Sequence, residues 1–187
     1  MRLNTIILGA ITLAISIGLS GCTGGYEPGP NMAKLDAKFL DASWDGKKIP
    51  NNQQCGNFGG NGSTPKMMIN NVPKGANAII MEVNDLNYAP LSTGGGHGKI
   101  GFWINKNSSS ITLVSVPGET SSKLPSGTFI ERASLAGGSY ATSGYLPPCS
   151  GGKNHMYTAT IKAVYKAKNE GEKSKLLGET RIELGRY

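Results

Sequence analysis

Short runs of β-forming residues recur along the chain, separated by segments rich in Gly, Ser, Asn and Pro. Several of them alternate apolar and polar positions, as a strand with one buried face does. The runs are 78–84 (AIIMEVN), 100–105 (IGFWIN), 110–116 (SITLVSV), 157–165 (YTATIKAVY) and 180–184 (TRIEL). The best helical period, at residues 128–135 (TFIERASL), is short. We therefore predict an all-β sandwich or barrel.

The N-terminus has the features of a bacterial export signal. Arg2 precedes an uncharged apolar run at residues 6–19, which is shorter than the roughly 20 apolar residues of a membrane-spanning helix. The run ends in LSGC at residues 19–22, which resembles the lipobox, where the cysteine is acylated and becomes the mature N-terminus. We expect a signal peptide over residues 1–21 and lipidation of Cys22. The alternative is an ordinary signal peptide with a coincidental cysteine.

The residues after Cys22 predict how the domain is held at the membrane. Residues 22–33 are rich in Gly and Pro, as a flexible tether is, and residues 34–187 have the length of one domain. Thr23 stands where an aspartate would favour retention at the inner membrane. We therefore expect an exported lipoprotein of the outer membrane, facing the periplasm.

The charge of the chain is basic, with 19 Lys and Arg against 12 Asp and Glu. A basic surface is compatible with anionic lipid headgroups or with nucleic acid. The sequence has no recognition helix and no zinc-finger spacing, and an exported protein does not meet nucleic acid, so we expect no nucleic-acid partner. Five lysines near the C-terminus predict a solvated strand edge: Lys162, Lys166, Lys168, Lys173 and Lys175.

If Cys22 is lipidated, Cys55 and Cys149 remain of the three cysteines. An oxidising compartment favours a disulfide between them, and closing so long a loop contributes about 4 to 5 kcal/mol in the chain-entropy model. Two free thiols are the alternative.

Polar residues that could carry chemistry lie beside strand ends. Asp85 follows the run 78–84, His97 precedes the run 100–105, and His155 and Tyr157 stand at the start of 157–165. Common catalytic and nucleotide-binding motifs are missing from the sequence, and no cofactor is expected. A site with two histidines and one carboxylate as metal ligands is an alternative, as is a purely structural role for the histidines.

Four stretches of sequence occur in an order typical of one family. They are Ile49-Pro50 with Cys55 and 59–75 (GGNGSTPKMMINNVPKG), 78–90 (AIIMEVNDLNYAP), 94–104 (GGGHGKIGFWI), and 144–157 (GYLPPCSGGKNHMY). Together they resemble the phosphatidylethanolamine-binding protein family, also called Raf-kinase-inhibitor-like, and in particular its bacterial secreted branch. The resemblance implies a mostly β, antiparallel sandwich with short peripheral helices. The family's C-terminal helix should be reduced or absent, because residues 170–180 are few and polar.

The resemblance also implies a small anion pocket. Its lining would be Asp85, His97, Pro148, His155 and Tyr157, and in the family this pocket takes phosphate-like groups such as phospholipid headgroups. Histidines and a tyrosine hydroxyl can donate hydrogen bonds to phosphate oxygens, whereas an ionised aspartate can accept a histidine N–H and fix its tautomer.

The chain departs from the family pattern at several positions beside these residues. They are Leu86, Asn87, Gly98, Pro147 and Ser150. Pro147 has no backbone N–H, so an anion contact through that amide is unavailable.

Three functional hypotheses follow. The first is a lipid-anchored, non-enzymatic protein that binds a small phosphate-bearing or other anionic ligand. The second is a protein-interaction or inhibitor lipoprotein whose pocket is vestigial. The third is a metal-dependent hydrolase built on Asp85, His97 and His155, for which the sequence offers no activated nucleophile.

Overall fold

The computed structural model describes residues 25–187. In this part of the chain nine strands are joined by loops and three short 3-10 turns. The strands are β1 Glu27–Lys34, β2 Asp36–Phe39, β3 Met67–Asn70, β4 Ala78–Asp85, β5 Gly98–Trp103, β6 Ser110–Leu113, β7 Thr128–Arg132, β8 Met156–Tyr165 and β9 Lys175–Arg186. The 3-10 turns are Gly56–Phe58, Ala89–Leu91 and Gly138–Tyr140.

The strands form two sheets. The larger has the order β1-β9-β8-β4-β5-β7 and the smaller the order β2-β3-β6. Neighbouring strands are antiparallel throughout, except for the parallel pair of β1 and β9. A mostly β sandwich with short peripheral helical turns is therefore confirmed.

The core lies between the two sheets because alternate residues of β4 point toward the smaller sheet. Ile79, Met81 and Val83 share one buried cluster with Met67 and Ile69 of β3. Every residue of β4 is buried, including the polar residues Glu82, Asn84 and Asp85 in its second half. Because this central strand ends at Asp85, it fixes the position of that carboxylate at one end of the larger sheet.

The short helical period at residues 128–135 does not form a helix, because Thr128–Arg132 form the edge strand β7, paired with β5. The Phe129 ring packs on Trp103, with the ring centroids 4.8 Å apart. Cross-strand aromatic packing of this kind stabilises a sheet and outweighs a short helical period.

Within the segment predicted as a flexible tether, residues 22–33, strand β1 begins at Glu27 and runs beside β9. Prolines 28 and 30 are tolerated because β1 is an edge strand, which needs hydrogen bonds on one side only. The predicted signal peptide and the lipidated Cys22 lie outside the described residues.

The predicted solvated edge holds only in part. Lys162 lies in β8, which is flanked by β4 and β9 and is not an edge. Its ammonium contacts Glu82, and that of Lys166 contacts Glu131. The reduced C-terminal helix agrees with the structure, since β9 already begins at Lys175. None of the helical turns in residues 25–187 is long and apolar enough to cross a membrane.

Candidate functional site

The ends of three strands bring the candidate residues together. Asp85 ends β4 and pairs across the sheet with Tyr157 of β8. His155 immediately precedes β8, and His97 immediately precedes β5. The backbone amide of His97 donates to the Val83 carbonyl at 2.9 Å, which ties its loop to β4.

A short hydrogen bond joins Asp85 and His155. Oδ2 of the carboxylate lies 2.7 Å from Nδ1 of the imidazole, and Asp85 is almost completely buried. The other carboxylate oxygen accepts the amide of Asn87, whose side chain in turn accepts the amide of Met156. Asn87, which departs from the family pattern, therefore holds the end of β4 against the start of β8.

His97 has a fixed tautomer. Its Nδ1 lies 2.9 Å from the Leu146 carbonyl oxygen, which can only accept, so Nδ1 carries the proton. Burial lowers the pKa of His97, although the Leu146 carbonyl and Asp85 act in the opposite direction. The neutral ring therefore has an unprotonated Nε2, and this atom accepts hydrogen bonds.

Tyr157 lies behind the two histidines as a buried support. Its ring meets that of His97 edge to face, with centroids 5.2 Å apart. Its hydroxyl accepts the Cys149 amide at 3.0 Å. Burial and the nearby Asp85 carboxylate raise the pKa of Tyr157, so the hydroxyl keeps its proton.

The loop before β8 is fixed by covalent and packing contacts. The predicted disulfide between Cys55 and Cys149 is present. The Pro148 carbonyl accepts the Cys55 amide at 3.0 Å beside this disulfide. Pro147 is buried where Gly62 and Gly118 leave room for its ring, since a Cβ on either glycine would collide with it. Pro147 therefore has a packing role.

A cavity of about 500 Å³ opens at these strand ends. Asp85, His97 and His155 lie in its wall, as predicted, together with Ser150 and Lys153. Apolar side chains also line the cavity, several of them substantially exposed: Phe58, Tyr88, Leu135 and Tyr140. The cavity thus combines polar and titratable groups with an apolar rim.

Two predicted lining residues are not in the cavity wall. Pro148 is buried against the Cys55 segment, and Tyr157 is completely buried beneath His97. The sequence interpretation missed Lys153, although it follows Gly151 and Gly152 in the same loop. It also missed the apolar rim, whose members come from loops far apart in the sequence and carry no shared pattern.

The three residues of the alternative metal site line one cavity but do not form a set of metal ligands. Among residues 25–187 no three His, Cys, Asp or Glu side chains form a group that could hold a metal ion. Asp85 and His155 contact each other, while Nδ1 of His97 is occupied by a backbone carbonyl. The geometry therefore does not support a site with these three side chains as ligands.

These observations define the class of structure: a two-sheet β-sandwich with a partly polar cavity at its strand ends. Among solved structures, E. coli YbcL, described as a new member of the mammalian phosphatidylethanolamine-binding protein family, aligns with a TM-score of 0.50 and 19% identity. The alignment covers 82% of this chain and 99% of that chain. The chain therefore has the fold of the phosphatidylethanolamine-binding protein family, as the sequence resemblance implied.

A phosphatidylethanolamine-binding protein homologue from Chlamydia trachomatis also aligns, with a TM-score of 0.47 and 18% identity, over 82% of this chain and 97% of that chain. No protein-family model matches the sequence. No curated protein matches it either.

Proposed function

We propose that this chain is a membrane-anchored lipoprotein whose cavity binds a small anionic group, such as the phosphate of a phospholipid headgroup or of another phosphate-bearing ligand. The observation that carries the proposal is the contact between Asp85 and His155 in the cavity wall. A buried carboxylate that accepts the Nδ1 proton orients the imidazole and fixes which ring nitrogen carries that proton.

The two histidines would act differently on a ligand. When His155 is protonated, Nε2–H can donate a charge-assisted hydrogen bond to an anion. Lys153, also in the cavity wall, adds an exposed ammonium group. Neutral His97 offers an acceptor, which suits a protonated phosphate oxygen or the ammonium group of an ethanolamine headgroup. A phosphate that also carries a hydrogen-bond donor could therefore contact both rings: His155 would donate to the phosphate, and His97 would accept from the donor.

The size and rim of the cavity favour a ligand larger than inorganic phosphate. The cavity volume is about 500 Å³, within the range of pockets that hold whole small molecules. Leu135 and Tyr88, with exposed fractions of 55% and 52%, lie beside the polar wall. An amphiphilic ligand would place its apolar part against these residues.

Binding calorimetry on the full chain with phosphoethanolamine tests the proposal. We expect His155→Asn and Lys153→Ala each to weaken binding by about ten-fold or more, because each removes a charge-assisted hydrogen bond. Lys74→Ala is the matched control, since this exposed lysine precedes β4 at the end opposite Asp85. Equal affinities of the wild type, His155→Asn and Lys153→Ala would overturn the proposal.

Membrane attachment through Cys22 is a separate part of the proposal. It rests on the LSGC sequence at residues 19–22 and on the preceding apolar run. Expression in a Gram-negative host followed by membrane fractionation tests it, with mass spectrometry of the N-terminal peptide. Acylated Cys22 in the outer membrane, and release by Cys22→Ala, are expected; an unmodified cysteine in the mature protein contradicts this part.

The exposed apolar rim also favours a second candidate function, in which the cavity face binds a protein. A partner would cover Tyr88, Leu135 and Tyr140, which are large apolar residues exposed around one opening. The protein-binding function predicts that the wild type does not bind phosphoethanolamine. It also predicts that Leu135→Ser abolishes capture of the partner protein. Saturable phosphoethanolamine binding that depends on His155 supports the first proposal instead.

A further inference from the structure

A second, smaller cavity lies on the opposite face of the larger sheet. Asn84 and Thr158 are cross-strand partners, one position from the pair of Asp85 and Tyr157. Because successive side chains of a strand point to opposite faces, the two pairs face opposite sides of the sheet. The second cavity has a volume of about 150 Å³ and is lined by Asn84, Leu86, Ser92, Thr93, Gly94, Thr158, Thr160 and Arg181.

Thr158 has a buried hydroxyl without a partner. The residue is 1% exposed, and its Oγ1 makes no hydrogen bond with any group in residues 25–187. A buried polar atom without a hydrogen bond is unfavourable, because it has lost its contacts with water and gained none in return. A hydroxyl in the wall of a polar cavity is therefore available to a molecule that enters it.

Among the described residues, Arg181 is the only ionisable one in the wall of this cavity. Its exposed guanidinium makes no hydrogen bond or ion pair within the described part of the chain, whereas Arg186 on the same strand donates to the Asn154 carbonyl. Glu183, an exposed residue of the same face, pairs across the sheet with Thr158 but does not line the cavity. An unpaired guanidinium suits recognition of a carboxylate or phosphate group.

A buried ion triad adds positive charge next to the cavity. Glu82 contacts the ammonium groups of Lys99 and Lys162 at 2.8 and 2.9 Å. One carboxylate and two ammonium groups leave a net charge of +1. Glu82 is the cross-strand partner of Thr160, which lines the cavity, so the excess charge lies close to it.

The remaining polar groups of the wall can supply further hydrogen bonds. Asn84 uses its side-chain oxygen to accept the amides of Gly95 and Gly96, which fixes the orientation of its NH₂ group. Its NH₂ has one long contact, 3.4 Å to the Glu82 carbonyl, and therefore keeps a second N–H. The hydroxyls of Thr158 and Thr160 can also donate.

We propose that this cavity is a second binding site, which takes a small oxyanion: a phosphate, a sulfate or the carboxylate group of a small ligand. Arg181 supplies the charge, and the hydroxyl of Thr158 supplies a buried donor. The volume of about 150 Å³ admits such a group and excludes a nucleotide or a lipid headgroup with its attached glycerol. The site is separate from the proposed ligand cavity, which lies across the sheet.

NMR of the isotope-labelled full chain, titrated with inorganic phosphate at constant ionic strength, tests this site. The side-chain Nε–H signal of Arg181 should shift and saturate at millimolar phosphate, while that of Arg186 serves as the internal reference. Thr158→Val keeps the side-chain shape and removes the donor. It should weaken the response about three- to ten-fold, in line with the loss of one hydrogen bond.

Three further variants separate this site from the first one. Arg181→Gln should abolish the second binding event, whereas Lys175→Gln, an equal charge change at the other end of β9, should leave it intact. His155→Asn should leave the Arg181 response unchanged. An Arg181 signal that moves no more than that of Arg186, or an unaltered response in Thr158→Val, would overturn the second site without bearing on the first.

Discussion

Oδ2 of Asp85 lies 2.7 Å from Nδ1 of His155, although 70 positions separate the two residues in the sequence. The contact follows from the antiparallel pairing of β4 and β8, which places the end of one strand beside the start of the other. Asn87 holds the end of β4 against the start of β8, because its amide donates to Asp85 and its side chain accepts the amide of Met156. Two backbone hydrogen bonds to Tyr187 hold His155 in place. The imidazole is therefore oriented before any ligand arrives.

His97 should titrate below its ordinary value of 6.5, because burial lowers its pKa. The unfolded chain then takes up a proton near pH 6.5 that the folded protein does not. Above this pH, His97 does not affect the free energy of unfolding. As the pH drops through 6.5, the free energy of unfolding decreases by up to about 1.4 kcal/mol per pH unit. NMR titration of the His97 ring measures the pKa directly. A value at or above 6.5 contradicts the prediction.

Glu82→Gln should destabilise the protein by about 3 kcal/mol, because it leaves the buried ammonium group of Lys99 and the partly buried one of Lys162 without a carboxylate. Burial by itself would raise the pKa of Glu82, but the two lysines outweigh it and the pKa lies below the ordinary 4.5. The contribution is therefore present at neutral pH and lost as the pH falls below this range. Urea unfolding measures the change.

Glu27→Gln is the control for this prediction. Glu27 also contacts a lysine, Lys173, but both side chains are largely exposed. Exposed ion pairs contribute little to stability, so this variant should unfold at nearly the wild-type urea concentration. Equal effects of the two substitutions would show that the Glu82 triad is not buried in the folded protein.

Gly118→Ala should destabilise the protein by about 1 to 3 kcal/mol, because its methyl group would overlap the Pro147 ring. Pro147→Ala removes that ring, so the double variant should lose less stability than the sum of the two single variants. Gly137→Ala serves as the control, since a Cβ there has no neighbour within 4 Å. Additive losses in the thermal unfolding of the double variant contradict the assigned packing.

The sequence predicts the large-scale architecture and the polar end of the sheet because both follow from local patterns. Asp85 and His155 directly flank recognisable strands, so antiparallel pairing is enough to bring them together. Strand β1 was missed because Pro28, Gly29 and Pro30 occupy its first half, and its partner β9 lies more than 140 residues away in the chain. Strand β7 was missed because its pairing with β5 and the contact of Phe129 with Trp103 are tertiary features.

The chemistry of the sheet interior also depends on contacts that no short motif carries. Glu82 stands within an apolar run, and its two lysines come from β5 and β8. Pro148 and Tyr157 were placed in the cavity wall by family resemblance, whereas here both are buried behind it. Positions beside a strand end are therefore predictable, but which side chains reach the cavity depends on loop packing.

The ring nitrogens of His155 give the most direct test of anion binding in the cavity. In a titration of the full chain with phosphoethanolamine near neutral pH, long-range ¹H–¹⁵N spectra should show the Nε2 signal of His155 shifting and saturating as this nitrogen contacts the anion. Anion binding in the cavity predicts this response and its loss in Asp85→Asn, which removes the carboxylate that orients the ring. Unchanged His155 nitrogen shifts at millimolar phosphoethanolamine would contradict it.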